Sequence, residues 1–374
     1  MTQRESDRAY MQWLFQAAGM GNGGFLKKLS SLSPPEGIYK MARQGRLKDK
    51  VSSRYQAKAR LLEESAATYD VMAEYEKMTD RGISFVYIGE EDYPKKLKHI
   101  PAAPFALYYA GKLPGDDVMT VAIVGARNCS AYGKTMARQF GEILAGEGVQ
   151  IVSGMARGID GIGQQAALDA GGYSLGVLGC GVDICYPPEN KSLYEQLIAQ
   201  GGICSEYPPG IEPRAVLFPP RNRIISGLCD CVLVIEAKER SGTLITVDMA
   251  LEQGREVYAL PGRVTDPLSR GCNRLIRQGA SPALSPQDMI CELIPDCHMH
   301  TVSGQMSPPA MDGVRGQVYK LLDFQPESAE ALQQKYADTY GSSITISELY
   351  LELLQMCADG YAERIGGNYY VRKV

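Results

Sequence analysis

Residues 118–154 read VMTVAIVGARNCSAYGKTMARQFGEILAGEGVQIVSG, and the pattern of apolar residues in them indicates the fold class. Two short runs rich in β-branched residues, VMTVAIVG and VQIVSG, enclose residues 132–148, whose apolar positions follow the period of a helix. Parallel neighbouring strands need a crossover connection of about a dozen residues or more, which is usually a helix, whereas a short hairpin joins antiparallel strands. The stretch therefore predicts a parallel strand, helix, strand unit.

The same alternation continues to residue 262. The further apolar runs are YSLGVLGC, GICSEY, CVLVIEA and EVYALPG, and the helical segments between strands include DGIGQQAALDAG, NKSLYEQLIAQG and TLITVDMALEQG. Strands that are apolar at nearly every position are typical of a parallel sheet covered on both faces. We therefore expect a doubly wound α/β core with helices on both sides.

The two ends of the chain have a different pattern. Residues 1–80 carry apolar residues at helical spacing and predict a small helical domain, and residues 82–114 predict short strands and turns. Within the helical part, GNGGFLKKLSSL (21–32) fits a helix-hairpin-helix turn that meets a phosphate backbone, but an ordinary Gly-rich connection is the favoured interpretation.

Residues 313–374 predict three helices and a hairpin, the pattern of a winged-helix domain, after a linker at 298–312. The core then spans 81–297. The helix in the position of a DNA-recognition helix carries Glu348, Glu352 and Asp359 and no Lys or Arg, which favours contact with protein over contact with DNA.

Composition excludes several classes of protein. No apolar run approaches the roughly 18 residues that a membrane helix needs, and the N-terminus is polar rather than signal-like, so we expect a cytoplasmic protein without membrane contact. Ten scattered cysteines without a CxxC pair predict reduced thiols. Residues 297–300, CHMH, with Cys291 upstream form a metal-like cluster, but a zinc site is the less favoured interpretation.

The net charge of −4 hides a local preference for arginine. Residues 115–285 contain 12 Arg and 3 Lys against 18 acidic residues. The planar guanidinium binds phosphate with two parallel hydrogen bonds, so the charge excludes a polybasic tail but not an arginine-lined pocket.

Glycines and arginines follow the predicted strands. In a parallel sheet the carboxyl ends of the strands meet at one edge, where helix N-termini present free N–H groups. Glycine turns, the hydroxyls of Ser153, Ser241 and Thr243, and four arginines fall at this edge; the arginines are Arg127, Arg157, Arg221 and Arg223. The sequence thus predicts a site for a phosphate-rich ligand.

Other chemistry fits less well. The first turn, GARNCSAYG, lacks the G-x-G-x-x-G pattern of a dinucleotide site, and NCSAYGKT differs from a phosphate-binding ATPase loop at Asn128. None of the three histidines, His99, His298 and His300, lies in the strand-helix alternation of 118–262, which removes the usual base for a nucleophilic Ser or Cys. Four acidic residues follow strands, and we expect Asp160 to cap a helix and the others to orient arginines or accept bonds from backbone amides; these are Asp183, Glu206 and Glu236.

Taken together, the motifs resemble the DNA-processing protein A family, DprA or Smf. They are GAR-x-x-S-x-Y-G (125–133), SGMARGID (153–160), GCGVD-x-x-YP-x-x-N (179–190), SEYPPG (205–210), FPPRNRIISGL (218–228), EA-x-x-x-SGTLIT (236–246) and ALPG with S-x-G-x-N-x-LI-x-x-GA (259–280). The resemblance implies an extended Rossmann-like core that binds single-stranded DNA, forms a homodimer and loads the RecA recombinase during natural transformation. It implies no catalysis and no cofactor.

The resemblance also implies which residues bind DNA. They are Gly125, Arg127, Ser153, Gly154, Arg157, Gly158, Phe218, Arg221, Asn222, Arg223, Ser241, Gly242 and Thr243. Two positions depart from the family: Gln164 stands where members often carry His, and Ala215 stands where some relatives have a basic residue, with Arg214 adjacent.

Within FPPRNRIISG, we expect a turn stiffened by Pro219 and Pro220 that presents Arg221 and Arg223 to phosphates and Phe218 to an unpaired base. Alanine at Arg127 and Arg221 together should then weaken binding and leave stability nearly unchanged.

The alternative for this stretch is a core Phe218 with arginines paired to Asp230 or Glu236. The competing class is a nucleotide-hydrolysing enzyme that resembles the phosphoribohydrolases. The SGT of this chain (241–243) matches the Gly-rich motif of those enzymes only in part. A third, less favoured class is a scaffold protein with a vestigial pocket.

Overall fold

The computed structural model describes residues 2–19, 21–294, 313–365 and 367–372. Five α-helices in this part of the chain precede the first strand: α1 Gln3–Ala18, α2 Gly23–Ser30, α3 Pro35–Arg43, α4 Gln56–Thr68 and α5 Val71–Asp80. They pack around buried Trp13 and Leu14. The helical pattern of residues 55–78 is divided between α4 and α5, because the Asp70 carboxylate accepts hydrogen bonds from the N–H groups of Met72 and Ala73 and caps α5.

The central sheet contains nine strands of the described residues. They are β1 Ser84–Tyr87, β2 Ala106–Gly111, β3 Thr120–Val124, β4 Gln150–Ser153, β5 Ser174–Val177, β6 Gly202–Ser205, β7 Cys231–Val234, β8 Glu256–Ala259 and β9 Ser281–Pro282. Their order is β1-β2-β6-β5-β4-β3-β7-β8-β9. Strands β3 to β9 pair in parallel, whereas β2 pairs with β6 and with β1 in antiparallel fashion. The predicted mostly parallel sheet is confirmed.

Helices cover both faces of this sheet. They are α6 Lys95–Lys98, α7 Ala131–Gly146, α8 Ile159–Asp169, α9 Lys191–Gln200, α10 Phe218–Leu228, α11 Gly242–Glu252, α12 Arg270–Arg277 and α13 Pro286–Leu293. Along β3, Val121 and Ile123 pack with α7, α8 and α13, whereas Ala122 and Val124 pack with α10 and α11. Both sets are buried, which explains why the strands read as unbroken apolar runs.

The stretch FPPRNRIISGL is helix α10, so the expectation of a turn is wrong. Pro219 and Pro220 lie in its first turn, where the N–H that proline lacks has no acceptor within the helix and the fixed φ suits the helix. Two residues advance about 200° around a helix axis, so Arg221 and Arg223 leave α10 in nearly opposite directions.

After residue 313 the described elements are α14 Gly313–Leu321, β10 Glu327–Ser328, α15 Ala329–Tyr340, α16 Ile346–Ala358, β11 Ala362–Arg364 and β12 Tyr369–Arg372. The three helices and the final hairpin match the sequence pattern, and the short β10, which pairs with β12, was not expected. They surround buried residues of their own, including Val318, Leu332 and Leu353. The linker and CHMH lie outside the described residues, and none of the described helices is long and apolar enough to cross a membrane.

Candidate nucleic-acid interface

A cleft of about 640 Å³ opens at the carboxyl ends of β3 and β7. These strands are neighbours, but the chain leaves β3 toward β4 on one side and returns to β7 on the other. Connections that diverge from adjacent strands leave a crevice between them, which is where doubly wound proteins bind ligands. A smaller recess of about 110 Å³ shares Arg127, Phe218 and Arg221 with the cleft.

Most of the predicted site residues meet here. Eight line the larger cleft: Gly125, Arg127, Phe218, Arg221, Asn222, Ser241, Gly242 and Thr243. Gly154 and Arg157 line the smaller recess. Ser153, Gly158 and Arg223 line neither space, and their contact with DNA stays a prediction.

Arg127 is an exposed cation at the end of β3. Within the described part of the chain, no ion pair or hydrogen bond ties its side chain to another residue, and it lines both spaces. An unpaired guanidinium at the mouth of a cleft is free to bind an anion without first breaking a protein contact.

Arg221, in contrast, is 6% exposed. Its Nη1 donates to the carbonyl oxygens of Gly154, at 2.9 Å, and of Val177, whereas its Nε is buried and has no acceptor in the described structure. Burial lowers the pKa of Arg221 and raises the pKa of Asp160, and the attraction between the two charges opposes both shifts. A buried cation with an unused donor is electrostatically suited to a bound anion.

The N-terminus of α11 also lines the cleft. The N-cap residue Ser241 makes no side-chain capping bond, and its buried Oγ has no partner in the described residues. Thr243 Oγ1 donates to the carbonyl oxygen of Gly125 at 3.2 Å and so ties α11 to the end of β3. The first turn of a helix has N–H groups without intrahelical acceptors and the positive end of the helix dipole, which favours an anion at this wall.

An aromatic pair lies between the two spaces. The rings of Phe218 and Tyr186 stack with centroids 5.4 Å apart and an interplanar angle of 28°. Tyr186 is 39% exposed, and Phe218 itself is half-buried and does not belong to the buried core. Tyr186 was not among the predicted site residues; the available signal was its place in the motif GCGVD-x-x-YP, but the stacking partner is 32 residues away in sequence and appears only in the fold.

Arg223 lies on the other side of α10. Its Nη2 donates to Glu206 at 2.7 Å and its Nε to the carbonyl oxygen of Ala102 at 2.9 Å. The guanidinium is therefore held by a carboxylate away from the cleft. The two carboxylates weighed as partners in the sequence have other contacts, because Asp230 pairs with Lys96 and Glu236 accepts from Ser130.

The loop 153–158 is held in shape by contacts within the protein. Ser153 Oγ donates to the carbonyl oxygen of Ile123 at 2.6 Å. Gly158 has φ of 75°, and a Cβ there would lie 2.3 Å from the carbonyl oxygen of Ala126. Ser153 and Gly158 thus shape the loop without facing the cleft. Arg157, on the same loop, forms an exposed ion pair with Glu189, a kind of contact that contributes little to stability and is easily exchanged for phosphate.

The two departures from the family pattern have different surroundings. Gln164 is fully buried; its Oε1 accepts from the N–H of Met155 and its Nε2 donates to the carbonyl oxygen of Leu175 at 2.9 Å. It therefore supports the loop in which Met155 has φ of 52°. Ala215 is exposed and lines the cleft, and the neighbouring Arg214 is exposed but lines neither space.

The four acidic residues at strand ends all have structural contacts. Asp160 lies in the first turn of α8 but accepts from the N–H of Gly154 at 3.1 Å, so the expected helix cap is wrong. Glu236 accepts from the N–H of Ser130 at 2.9 Å, and burial raises its pKa despite this bond. Asp183 accepts from the N–H of Gly210, and Glu206 holds Arg223. No group of three or more potential metal ligands occurs among the described residues.

The fold and the cleft define a doubly wound α/β protein whose cleft at the strand ends is lined by arginines and by buried hydrogen-bond donors without acceptors in the described structure. Within this class, residues 84–294 match the family described as DNA recombination-mediator protein A. The match covers more than half of the chain, and the chain belongs to this family, whose members are also named DNA processing protein A or Smf.

Relatives of known name support this placement. The chain is 45% identical to DNA processing protein DprA of Streptococcus pneumoniae over 203 residues, which are 54% of this chain and 72% of that protein. It is 46% identical to Protein Smf of Escherichia coli over 201 residues, 54% of either chain. The solved S. pneumoniae structure superposes with a TM-score of 0.62 at 35% identity, covering 76% of this chain and 98% of that one.

A second solved relative concerns single-stranded DNA. It is DNA processing protein A of Helicobacter pylori, whose structure was solved to study its single-stranded DNA binding mode. That structure superposes with a TM-score of 0.52 at 31% identity, covering 57% of this chain and 96% of that one.

Proposed function

We propose that the cleft between β3 and β7 binds single-stranded DNA. Arg127, Arg221 and the start of α11 bind backbone phosphates, and the Phe218–Tyr186 pair stacks on an unpaired base. The observation that carries the proposal is a pair of buried donors without acceptors in the described structure, Arg221 Nε and Ser241 Oγ, on two residues that line one cleft.

A single strand suits this cleft better than a duplex. Stacking on an aromatic ring contributes about 1–3 kcal/mol per base, and this gain is available only to a base that is not already stacked between neighbours. The single-stranded DNA binding mode of the H. pylori relative supports the same assignment.

Fluorescence anisotropy with a labelled oligothymidylate and with a blunt duplex of equal length, each at two salt concentrations, tests the proposal. The single strand should bind more tightly at both salt concentrations, and its affinity should fall as salt rises. Equal affinity for the two DNA forms would contradict the role of the aromatic pair.

The family resemblance supports three finer proposals: homodimer formation, loading of a RecA-type recombinase onto single-stranded DNA, and a role in natural transformation. Light scattering after size-exclusion chromatography measures the first. The second is tested by RecA filament formation on DNA coated with single-strand binding protein, which should proceed faster when this protein is added. Disruption of the gene should lower transformation frequency while growth is unchanged.

We also propose the domain division 1–80, 81–297 and 313–374, the last a winged-helix domain, with a linker at 298–312. The separate buried cluster of residues after 313 supports it. Limited proteolysis should cut first within 298–312.

Incubation with nucleoside monophosphates tests the competing enzyme class, since release of free base would favour hydrolysis over binding.

A further inference from the structure

Positive charge is concentrated in one part of the helical N-terminal region. Residues 21–60 contain ten Lys and Arg against two Asp and Glu, in a chain whose net charge is −4. Within the described residues, one of these ten cations, Lys40, forms an ion pair, with Glu36. The strand-end cleft uses none of them.

Three of the cations surround a single ring. Phe25 of α2 and Tyr55 stack with centroids 4.9 Å apart. Lys28 Nζ lies 5.9 Å, Arg54 Cζ 5.5 Å and Lys58 Nζ 6.0 Å from the centroid of Tyr55. We call these three cations and two rings the basic cluster.

No carboxylate of the described chain pairs with the three cations of the cluster. Lys58 instead donates to the amide oxygen of Asn22, which carries no charge. The tyrosine ring attracts each cation, but such an attraction amounts to about 0.5–1 kcal/mol at exposed sites and leaves the positive charge in place. Like charges gathered without a counter-ion create a positive potential that attracts polyanions.

The surroundings of the cluster favour a phosphate backbone over bases. Tyr55 is stacked on Phe25 and approached by cations, so its ring is already engaged within the protein. The start of α2 is open, because a Cβ at Gly23 or Gly24 would meet no atom within 4 Å. Duplex DNA carries one negative charge per roughly 1.7 Å of its axis, twice the density of one strand, and offers no unstacked base.

We infer that the basic cluster is a second nucleic-acid site, separate from the strand-end cleft, and that it binds the phosphate backbone of duplex DNA. The chain then has two different contacts with DNA: a cleft for an unpaired strand and a charged surface for a neighbouring duplex. A junction between single- and double-stranded DNA presents both ligands at once. The inference does not rest on the function proposed for the cleft.

The test uses the full chain with Lys28→Gln, Arg54→Gln and Lys58→Gln combined. The control carries Arg138→Gln, Arg277→Gln and Lys320→Gln, which remove the same charge from exposed positions outside the cluster and the cleft. Binding of a blunt duplex is measured by anisotropy from 50 to 200 mM NaCl. Loss of three phosphate contacts should lower the salt slope by about 2.7 and the duplex affinity by about tenfold or more in the cluster variant alone.

Further measurements separate the possible causes. The affinity of the cluster variant for a short oligothymidylate should stay within about twofold of wild type. Arg127→Ala should instead lose affinity for the oligothymidylate and keep its affinity for the duplex. If neither variant binds the single strand more weakly, the cleft proposal fails and the cluster proposal stands. Lys28→Arg with Lys58→Arg keeps the charge and should keep duplex affinity, which separates charge loss from unfolding. The inference is overturned if the cluster variant binds duplex like the control, or if it loses only binding to phosphatidylglycerol vesicles.

Discussion

The Arg127→Ala variant should lose affinity for single-stranded DNA while it keeps the melting temperature of the wild type. Arg127 is exposed at the cleft, and its side chain makes no ion pair or hydrogen bond in the described part of the chain. A hydrogen bond to a charged group contributes about 1.5–3 kcal/mol, so removing one phosphate contact should weaken binding roughly 10- to 100-fold. The slope of log K against log salt should become shallower by about 0.7.

Arg221→Ala should behave differently, because Arg221 is buried and donates to two backbone carbonyls. Its removal leaves those carbonyls and the nearby Asp160 carboxylate without a compensating cation. Breaking such a buried charge arrangement costs about 3–5 kcal/mol, or several degrees of melting temperature. The expectation from the sequence that both arginines can be removed at little cost to stability therefore applies only to Arg127.

The assay is anisotropy of a labelled oligothymidylate at four salt concentrations, with melting followed by circular dichroism on the same preparations. Arg138→Ala is the matched control, since Arg138 is an exposed arginine of α7 that lines neither space. Two results would refute the reasoning: an unchanged salt slope for Arg127→Ala, or a melting temperature of Arg221→Ala equal to that of the wild type.

Phe218→Ala should weaken single-strand binding by about 1–3 kcal/mol and leave duplex binding nearly unchanged, because only an unpaired base can stack; equal losses in an anisotropy titration would argue against a stacking role. Gly158→Ala should lower the melting temperature by several degrees, since φ of 75° disfavours a side chain and the new Cβ would meet a backbone carbonyl at 2.3 Å. Burial raises the pKa of Cys229 and of Cys272 to about 12, so iodoacetamide at pH 8 should modify exposed Cys291 and spare these two thiols, as read by peptide mass spectrometry.

The sequence alone determined the architecture of the core. The six runs from 118 to 262 that read as buried strands are β3 to β8, and the helical segments between them are α7, α8, α9 and α11. A parallel strand between two helical layers must be apolar on both faces, so it can be recognised in the sequence as a run of four to eight consecutive apolar residues. The turn predicted for FPPRNRIISGL was wrong, because proline is common in the first turn of a helix as well as in loops.

The contacts of each arginine depend on the folded protein and could not be predicted from the sequence. The sequence predicts all four arginines at one edge of the sheet, yet their contacts differ. Arg127 is unpaired in the described structure, Arg221 is buried against carbonyls, and Arg157 and Arg223 pair with Glu189 and Glu206. Helix phase turns Arg221 and Arg223 to opposite sides of α10, and the order of the strands brings distant carboxylates and Tyr186 into reach. Residue type and spacing in the sequence predict at which edge of the sheet a cation lies. Hydrogen bonds and ion pairs act over only a few ångströms, so the partner of that cation depends on how the folded chain packs.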